Sequence, residues 1–172
     1  MVKWMGYLLI LAACFGLSEQ AIGKIRDRRL ALKHLLAWLS YFRGKILFEN
    51  AAMEEALRES AKQAGAELST FFCAVASELE ERNGRTIREI WEKQSEQRKN
   101  SFSLGREEVA ELKRFGTQLG EMDVKVQERA ISRYEEELSA ALKRVEEELS
   151  RKERLYRSLG VLAGCFIIIL IW

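Results

Sequence analysis

The residues that could carry out metal or acid–base chemistry are few, and their spacing does not suit such a site. The single histidine, His34, lies in an apolar helical stripe with no cysteine or carboxylate at metal-ligand spacing. Cys73 lies between Phe72 and Val75 with no histidine close to it in the sequence, which is typical of a core cysteine. The many glutamates lie on charged helical faces, where no apolar setting would raise the pKa of a carboxyl group. We therefore predict no catalytic residue, no metal site and no cofactor.

Motifs for nucleotide and acyl chemistry are also missing from the sequence. There is no Gly-Lys-Ser/Thr phosphate loop, no dinucleotide-binding glycine pattern after a strand, and no Gly-x-Ser-x-Gly nucleophile turn. An enzyme would need a clustered polar pocket, and the sequence does not indicate one. We predict that the protein is not an enzyme and that it acts by binding.

Composition predicts an all-α fold. The 172 residues include no proline, and 31% of them are charged, so little interrupts a helix. Residues 23–158 hold 27 of the 28 basic and 25 of the 26 acidic residues, a difference of only two charges. Because nucleic-acid binders usually show a basic excess on one face, we expect no nucleic acid as a partner. Two of the three cysteines lie in the terminal apolar runs, which favours a reducing compartment over a disulfide framework.

The two ends of the chain predict membrane helices. Residues 4–17 form an uncharged apolar run, and residues 159–172 form a second one, LGVLAGCFIIILIW. Both are shorter than the roughly 20 residues that a helix needs to cross a bilayer. We nevertheless predict transmembrane helices at 1–22 and 159–172, with aromatic residues in the interfaces. Basic residues follow the first run and precede the second, so the positive-inside rule places the domain 23–158 in the cytoplasm.

A competing interpretation treats the first run as a cleaved signal peptide. The mature protein would then be a surface helical receptor or adaptor with a C-terminal anchor. The basic flanks disfavour this topology, and loss of about 20 residues from the mature N-terminus would identify it.

Apolar spacing in the middle of the chain predicts a bundle of about six helices, the last of them long. We expect helices at 25–48, 51–64, 66–82, from Thr86, at 102–119, and from 124 into the second membrane run. The predicted boundary residues are Glu49 and Asn50 as an N-cap, Gly65, Asn83 with Gly84, Gly116, Gly120 with a positive φ, and Asp123 as a cap. The polar stretch 94–100 has no apolar face and is predicted to be a frayed end or loop.

One segment carries a specific resemblance. The pattern is Phe115-Gly116-x-x-Leu119-Gly120-x-x-Asp123-x-x-x-Gln127, which generic helical proteins have no reason to share. Together with Met53-Glu54-Glu55-Ala56-Leu57, the stretch 84–91 and the two apolar ends, it resembles the stage III sporulation protein AB family over the whole chain. Physically, Gly120 would end one helix and Asp123 would cap the next.

This resemblance implies a function. Members of the family are mother-cell membrane components of the secretion-like channel complex that links the mother cell to the engulfed forespore. Their cytoplasmic domain is similar to the inner-membrane platform proteins of type II secretion and type IV pilus machines. The implied partners are an ATPase, stage III sporulation protein AA, other stage III sporulation membrane and ring proteins, and membrane lipid. Self-association is left open.

The platform hypothesis requires a docking surface for the ATPase. The polar edge of the helix at 102–119 is the leading candidate, because helical phase places it opposite Leu112 and Phe115. The predicted partner-binding residues are Arg106, Glu107, Glu108, Arg114 and Gln118. The alternative is that these side chains are simply solvated.

Overall fold

A computed structural model describes the backbone of residues 2–81, 84–120 and 124–171, and the side chains of 22–81, 84–120, 125–156 and 158–159. Within these ranges the chain is all-helical and has no strand, as the composition predicted. Its elements are α1 (Val2–Leu47), α2 (Met53–Ser60), a short 3-10 helix (Ala61–Gln63), α3 (Ala66–Glu80), α4 (Ile87–Arg98), α5 (Arg106–Leu119) and α6 (Val124–Ile171). The long last helix is confirmed, and α1 is continuous from the N-terminal run.

The chain forms two compact units. One consists of Met1–Asp27 and Arg144–Trp172, and the other is Arg28–Lys143. The second unit contains α2 to α5 with the parts of α1 and α6 that pack on them. We call it the central unit; the boundaries 23–158 predicted for a cytoplasmic domain stay a prediction.

An aromatic cluster forms the core of the central unit. Trp38 of α1 stacks on Phe72 of α3, with ring centroids 3.8 Å apart. Trp91 of α4 meets Phe71 edge to face at 5.0 Å, and Phe115 of α5 stacks on Tyr134 of α6 at 4.5 Å. Such contacts add about 0.5–1.5 kcal/mol per pair to the burial of apolar area. Trp91 also meets Phe115 at 6.1 Å, so these contacts connect five helices, α1, α3, α4, α5 and α6, through one core.

In the other unit, α1 and α6 pair with each other. Ile25, Val145 and Leu149 are buried there. Arg26 donates to Glu153 across the pair, with Nη2 and Oε1 3.0 Å apart. Both side chains are exposed, so this ion pair adds little stability beyond the apolar contacts.

The structure contains no membrane-crossing helix within the residues whose properties it describes: none of their helical stretches is both long and apolar enough. The predicted spans 1–22 and 159–172 consist almost entirely of residues whose side chains lie outside the described part.

Helix starts differ from the sequence expectations at α2 and at α5, which begins at Arg106 instead of residue 102, and they agree at α4. The helix predicted from residue 51 begins at Met53, with Ala52 as its N-cap and no side-chain cap. The Glu49–Asn50 cap is therefore wrong, and Asn50 instead adopts a left-handed turn conformation with φ 51°. Thr86 does start α4, through a capping box in which its hydroxyl accepts from the Glu89 backbone N–H and the Glu89 carboxylate accepts from the Thr86 backbone N–H.

The frayed helix end or loop predicted at 94–100 is wrong for most of that stretch, because α4 continues to Arg98. Gln94 and Ser95 are buried, although both are polar. The Gln94 amide donates to Glu78 of α3, and Lys93 donates to the same carboxylate over 2.9 Å. Hydrogen bonds between α3 and α4 replace the apolar face that the sequence lacks here.

Two glycines of the family pattern play roles that differ from those predicted. Gly116 lies inside α5 and does not interrupt it. Gly120 follows α5 with φ −73°, an ordinary helical value, so the predicted positive φ is wrong. Gly65 and Gly84 are the glycines with positive φ, at the start of α3 and before α4. Asp123, the predicted cap of α6, lies outside the described residues.

Candidate functional site

Helix α5 has one buried face and one polar face, as its spacing predicted. Leu112, Phe115, Gly116 and Leu119 are buried against the neighbouring helices. Beyond its C-terminal end, the Gln127 amide of α6 donates to the Leu119 carbonyl over 3.3 Å. The family pattern therefore forms the corner between α5 and α6, and several of its members have a packing or hydrogen-bonding reason to be there.

The structure separates the five predicted partner-binding residues. Arg106 and Glu107 are exposed at the first turn of α5, and no ion pair to either is found within the described ranges. Arg114 and Gln118 lie at the opposite end of the helix, Arg114 exposed and Gln118 half-buried. Glu108 is only 3% exposed, so the expectation that it lies on the exposed edge is wrong.

Glu108 is buried because it forms an ion pair with α1. Its Oε1 accepts a hydrogen bond from Nη2 of Arg28, 80 residues earlier in the chain. Gly105, directly before α5, leaves the room for this pair: a Cβ there would lie 2.2 Å from the Glu108 carboxylate and 2.9 Å from the Arg28 guanidinium. The pair therefore fixes the start of α5 against α1.

A second group of charges joins the other end of α5 to α6. We call Glu111, Arg114, Arg133 and Glu137 the α5–α6 cluster. Arg114 pairs with Glu111 on its own helix and donates to Glu137 over 2.7 Å. Arg133 donates to the same Glu137 oxygen over 3.0 Å. Two arginines and two glutamates thus form one network across the helix pair.

The two carboxyl groups of this cluster titrate in opposite directions. Burial raises the pKa of Glu111, and its hydrogen bond with Glu137 raises it further. Burial alone would also raise the pKa of Glu137, but hydrogen bonds from Arg133 and Glu111, together with the Arg114 charge, lower it on balance. On acidification Glu111 therefore takes up the first proton and donates it in a hydrogen bond to ionised Glu137. The expectation that no carboxyl group has a raised pKa is wrong for Glu111.

Tyr134 lies behind this pair of carboxylates. It is 2% exposed, and its hydroxyl has no hydrogen-bond partner among the described residues. Burial raises the pKa of this hydroxyl, as do the nearby carboxylates of Glu111, Glu137 and Glu108. A small cavity between α5 and α6 adjoins it, with about 10 Å³ of space for the centres of water-sized molecules. Its lining residues are Glu111, Arg114, Phe115, Gln118, Ala130, Arg133, Tyr134 and Glu137.

The α5–α6 cluster can exchange a proton, and it can hold α5 and α6 together. The cavity has space for about one water molecule, so a larger substrate would have to bind outside it. Within the described residues no group of three potential ligands could hold a metal ion. His34 packs against Gly65, and Cys73 is a half-buried free thiol rather than a fully buried core residue.

We predict that Tyr134→Phe leaves the free energy of unfolding unchanged or raises it slightly. The variant removes a buried hydroxyl that lacks a protein partner, and such a group costs free energy when it is buried. Urea unfolding of the full chain measures this, with the exposed Tyr41→Phe as the matched control. A loss of more than about 1 kcal/mol would contradict the prediction and indicate a bound water at the hydroxyl.

The sequence contained part of the signal for this cluster. Arg133 and Glu137 are four residues apart on one helix, and Glu111 and Arg114 are three apart on another, so both local pairs are visible as helical spacings. The contact between the two helices and the unpartnered Tyr134 hydroxyl depend on the fold.

Comparison with known proteins identifies relatives over the whole chain. The sequence profile of the family described as stage III sporulation protein AB matches residues 3–172. Stage III sporulation protein AB of Bacillus subtilis (strain 168) is 26% identical over 171 residues, which are 99% of each chain. A solved structure of stage III sporulation protein AB is 25% identical, covers 72% of this chain and 97% of its own, and superposes with a TM-score of 0.66.

Proposed function

Because this chain belongs to the stage III sporulation protein AB family, we propose that it is a non-enzymatic platform of the channel complex between mother cell and forespore. In this proposal its helices dock the cytoplasmic ATPase, stage III sporulation protein AA. Other stage III sporulation membrane and ring proteins surround it in the mother-cell membrane. The relatives' names refer to sporulation and mention no reaction.

The observation that carries the docking proposal is the exposed start of α5. Arg106 and Glu107 project from a helix whose opposite face is buried, and the pair between buried Glu108 and half-buried Arg28 holds that helix end in place. A fixed helix end presents its charges with little loss of side-chain and loop freedom on binding. This is what a docking surface for a second protein requires.

The test is co-purification of the full chain with the ATPase. Arg106→Glu is expected to reduce the bound ATPase at least about tenfold, a change of about 1.4 kcal/mol in binding free energy, because the reversal makes a complementary charge repulsive. Lys143→Glu is the matched control, since Lys143 is equally exposed on α6. Arg114 is less suitable for the first test, because its reversal would also break the contacts with Glu111 and Glu137.

Binding that survives Arg106→Glu would contradict the assignment of this surface. No binding by the unmodified chain would contradict the docking role itself.

The membrane part of the proposal rests on the apolar ends and their basic flanks. Helices at 1–22 and 159–172 would place both short termini across the membrane and leave 23–158 in the cytoplasm. Cysteine accessibility in intact and opened cells tests this topology, with single cysteines at exposed Ser40 and at the C-terminus. Labelling of Ser40→Cys in intact cells would contradict it.

A further inference from the structure

Helix α6 leaves two large leucines uncovered in the unit formed by Met1–Asp27 and Arg144–Trp172, which we call the terminal unit. Leu155 is 54% exposed and Leu159 is 56% exposed. They are four residues apart and therefore lie on one side of the helix, and Arg151 precedes them at the same spacing. This stripe changes from basic to apolar along the helix, in the direction of the uncharged C-terminal run.

Basic side chains surround this stripe at one level of the helix pair. The ion pair between Arg26 and Glu153, with Nη2 and Oε1 3.0 Å apart, brings these two positions of α1 and α6 side by side. Lys24, Arg151 and Arg154 lie within two residues of that ion pair on their helices, which is about 3 Å along the helix axis. All three side chains are exposed. We call Lys24, Arg151 and Arg154 the basic collar.

The basic collar has no ion pair within the residues that the structure describes. Its basic neighbours do, since Arg26 pairs with Glu153 and Lys152 pairs with a glutamate on its own helix. The segments 22–27 and 150–156 together hold five basic and only two acidic side chains. The charges of the collar are therefore not compensated by this chain, and they can bind an anion from outside it.

The distance between these charges and the leucines fits the edge of a lipid bilayer. Arg151 lies about 6 Å from Leu155 and about 12 Å from Leu159 along the helix axis. The headgroup layer adds about 5 to 8 Å on each side of the hydrocarbon core. Leucines at the boundary of the hydrocarbon would place the Arg151 guanidinium among the phosphates. The flexible stem of Arg154 can carry its charge to the same level.

A protein helix fits the stripe less well than lipid does. Lys143 and Glu147 continue the same stripe toward the start of α6, and both are exposed. A docked helix would therefore find apolar side chains only at Leu155 and Leu159, whereas acyl chains would also meet the uncharged run that follows. A second copy in the same membrane would bring its own collar to the same level, where like charges repel.

We propose that the basic collar, together with Leu155 and Leu159, binds anionic phospholipid. The cations contact the phosphate of the headgroup, and the leucines contact the first part of the acyl chains. Arginine suits this role because its planar guanidinium donates two hydrogen bonds to one phosphate group. This inference rests on the membrane part of the proposed function and makes it more specific by naming the class of lipid. It does not involve the start of α5, so variants of the collar should leave ATPase co-purification unchanged.

Native mass spectrometry of the full chain in detergent micelles tests the proposal. The probes are dioleoyl phosphatidylglycerol, which is anionic, and dioleoyl phosphatidylcholine, which has the same acyl chains and no net charge. We expect the anionic lipid to bind at least about tenfold more tightly. Arg151→Gln with Arg154→Gln should abolish most of this preference and leave binding of phosphatidylcholine unchanged.

Lys143→Gln with Arg144→Gln is the matched control. It removes two exposed positive charges from the same helix, at least about 10 Å from Arg151 along the axis. This variant should keep the preference for the anionic lipid. A loss of equal size in the control would assign the preference to net charge and would overturn the role of the collar.

Two further outcomes would also overturn the proposal. Displacement of phosphatidylglycerol by an equal concentration of soluble glycerol 3-phosphate would identify a free-phosphate site instead of a lipid surface. Equal binding of the two lipids by a chain that stays in vesicles during an alkaline carbonate wash would contradict the lipid preference and leave the membrane helices intact. Release of the chain by that wash would contradict the membrane helices themselves, and this inference with them.

Discussion

The variant Arg28→Met is expected to lower the free energy of unfolding by roughly 3 to 5 kcal/mol, because it leaves the Glu108 carboxylate buried without its guanidinium partner. Glu108 is 3% exposed and its Oε2 lacks a hydrogen-bond partner among the described residues, so Arg28 is the cation on which its buried charge mainly depends. Urea unfolding of the full chain, followed by tryptophan fluorescence, measures the loss.

The variant Glu108→Leu, which removes the other partner of the pair, should lower the free energy of unfolding less than Arg28→Met does. In Glu108→Leu the remaining charge is Arg28, whose side chain is 32% exposed and reaches water. The double variant Arg28→Met with Glu108→Leu should recover much of the loss, since apolar residues of similar volume can replace a buried ion pair at little cost.

Arg58→Met is the control, because its pair with Glu80 is exposed on both sides and should contribute at most about 1 kcal/mol. If Arg28→Met and Arg58→Met lowered the free energy of unfolding equally, the Glu108–Arg28 pair would not stabilise the chain more than an exposed ion pair does.

These contacts make α5 the most firmly held helix at the candidate site. The Glu108–Arg28 pair holds its start against α1, and the Leu112 carbonyl accepts from the Trp91 indole of α4 over 3.0 Å. Arg114 ties its second half to α6 through Glu137. A helix fixed at three points along its length keeps its exposed first turn in place. This rigidity is the physical link between the core of the central unit and the proposed docking surface.

Local periodicity was sufficient to predict most of the helices. The stripe of α3 was placed to within two residues, with Leu68, Phe71, Phe72 and Val75 all buried as expected. The predicted helix start at Thr86 is confirmed, and the Thr-x-x-Glu capping box found there acts through neighbouring backbone groups. Such features depend on residues a few positions apart, and a single sequence contains all the information they need.

The wrong predictions have a different cause: they concern residues whose partners are far away in the sequence. Glu108 follows the polar residues Arg106 and Glu107, so helical phase alone placed it on the polar edge of the helix. Its partner Arg28 is 80 residues away. Gln94 belongs to a stretch without apolar residues, and only its contact with Glu78 of α3 explains why the helix continues through it. Tertiary contacts of this kind override local propensity and leave no periodic signal.

Glycine was the least predictable residue type. A glycine near the end of a helical stripe usually marks a C-cap, which favoured that interpretation for both Gly116 and Gly120. The structure shows that Gly116 instead makes room for a side chain of another helix.

Gly116→Val is expected to lower the free energy of unfolding by about 3 kcal/mol or more, and Gly116→Ala by about 2 kcal/mol. A Cβ at this position would lie 2.2 Å from three carbons of the Trp91 indole, far inside van der Waals contact. The indole is rigid, fully buried among Phe71, Phe72 and Phe115, and held by its hydrogen bond to the Leu112 carbonyl, so it cannot turn away without disturbing the core. Overpacking of this kind costs about 1 to 3 kcal/mol or more.

The matched control is Gly44→Ala, a glycine-to-alanine change in another helix of the same unit. A Cβ at position 44 meets nothing, so the higher helix propensity of alanine should raise the free energy of unfolding by up to about 1 kcal/mol. Trp91→Leu should relieve the clash, so Gly116→Ala should cost less in that background than alone. If Gly116→Ala and Gly44→Ala both stabilised the chain, α5 and α4 would not approach as closely as the structure shows. The opposite signs expected for these two substitutions separate a glycine that the chain's own core requires from one that this core does not require.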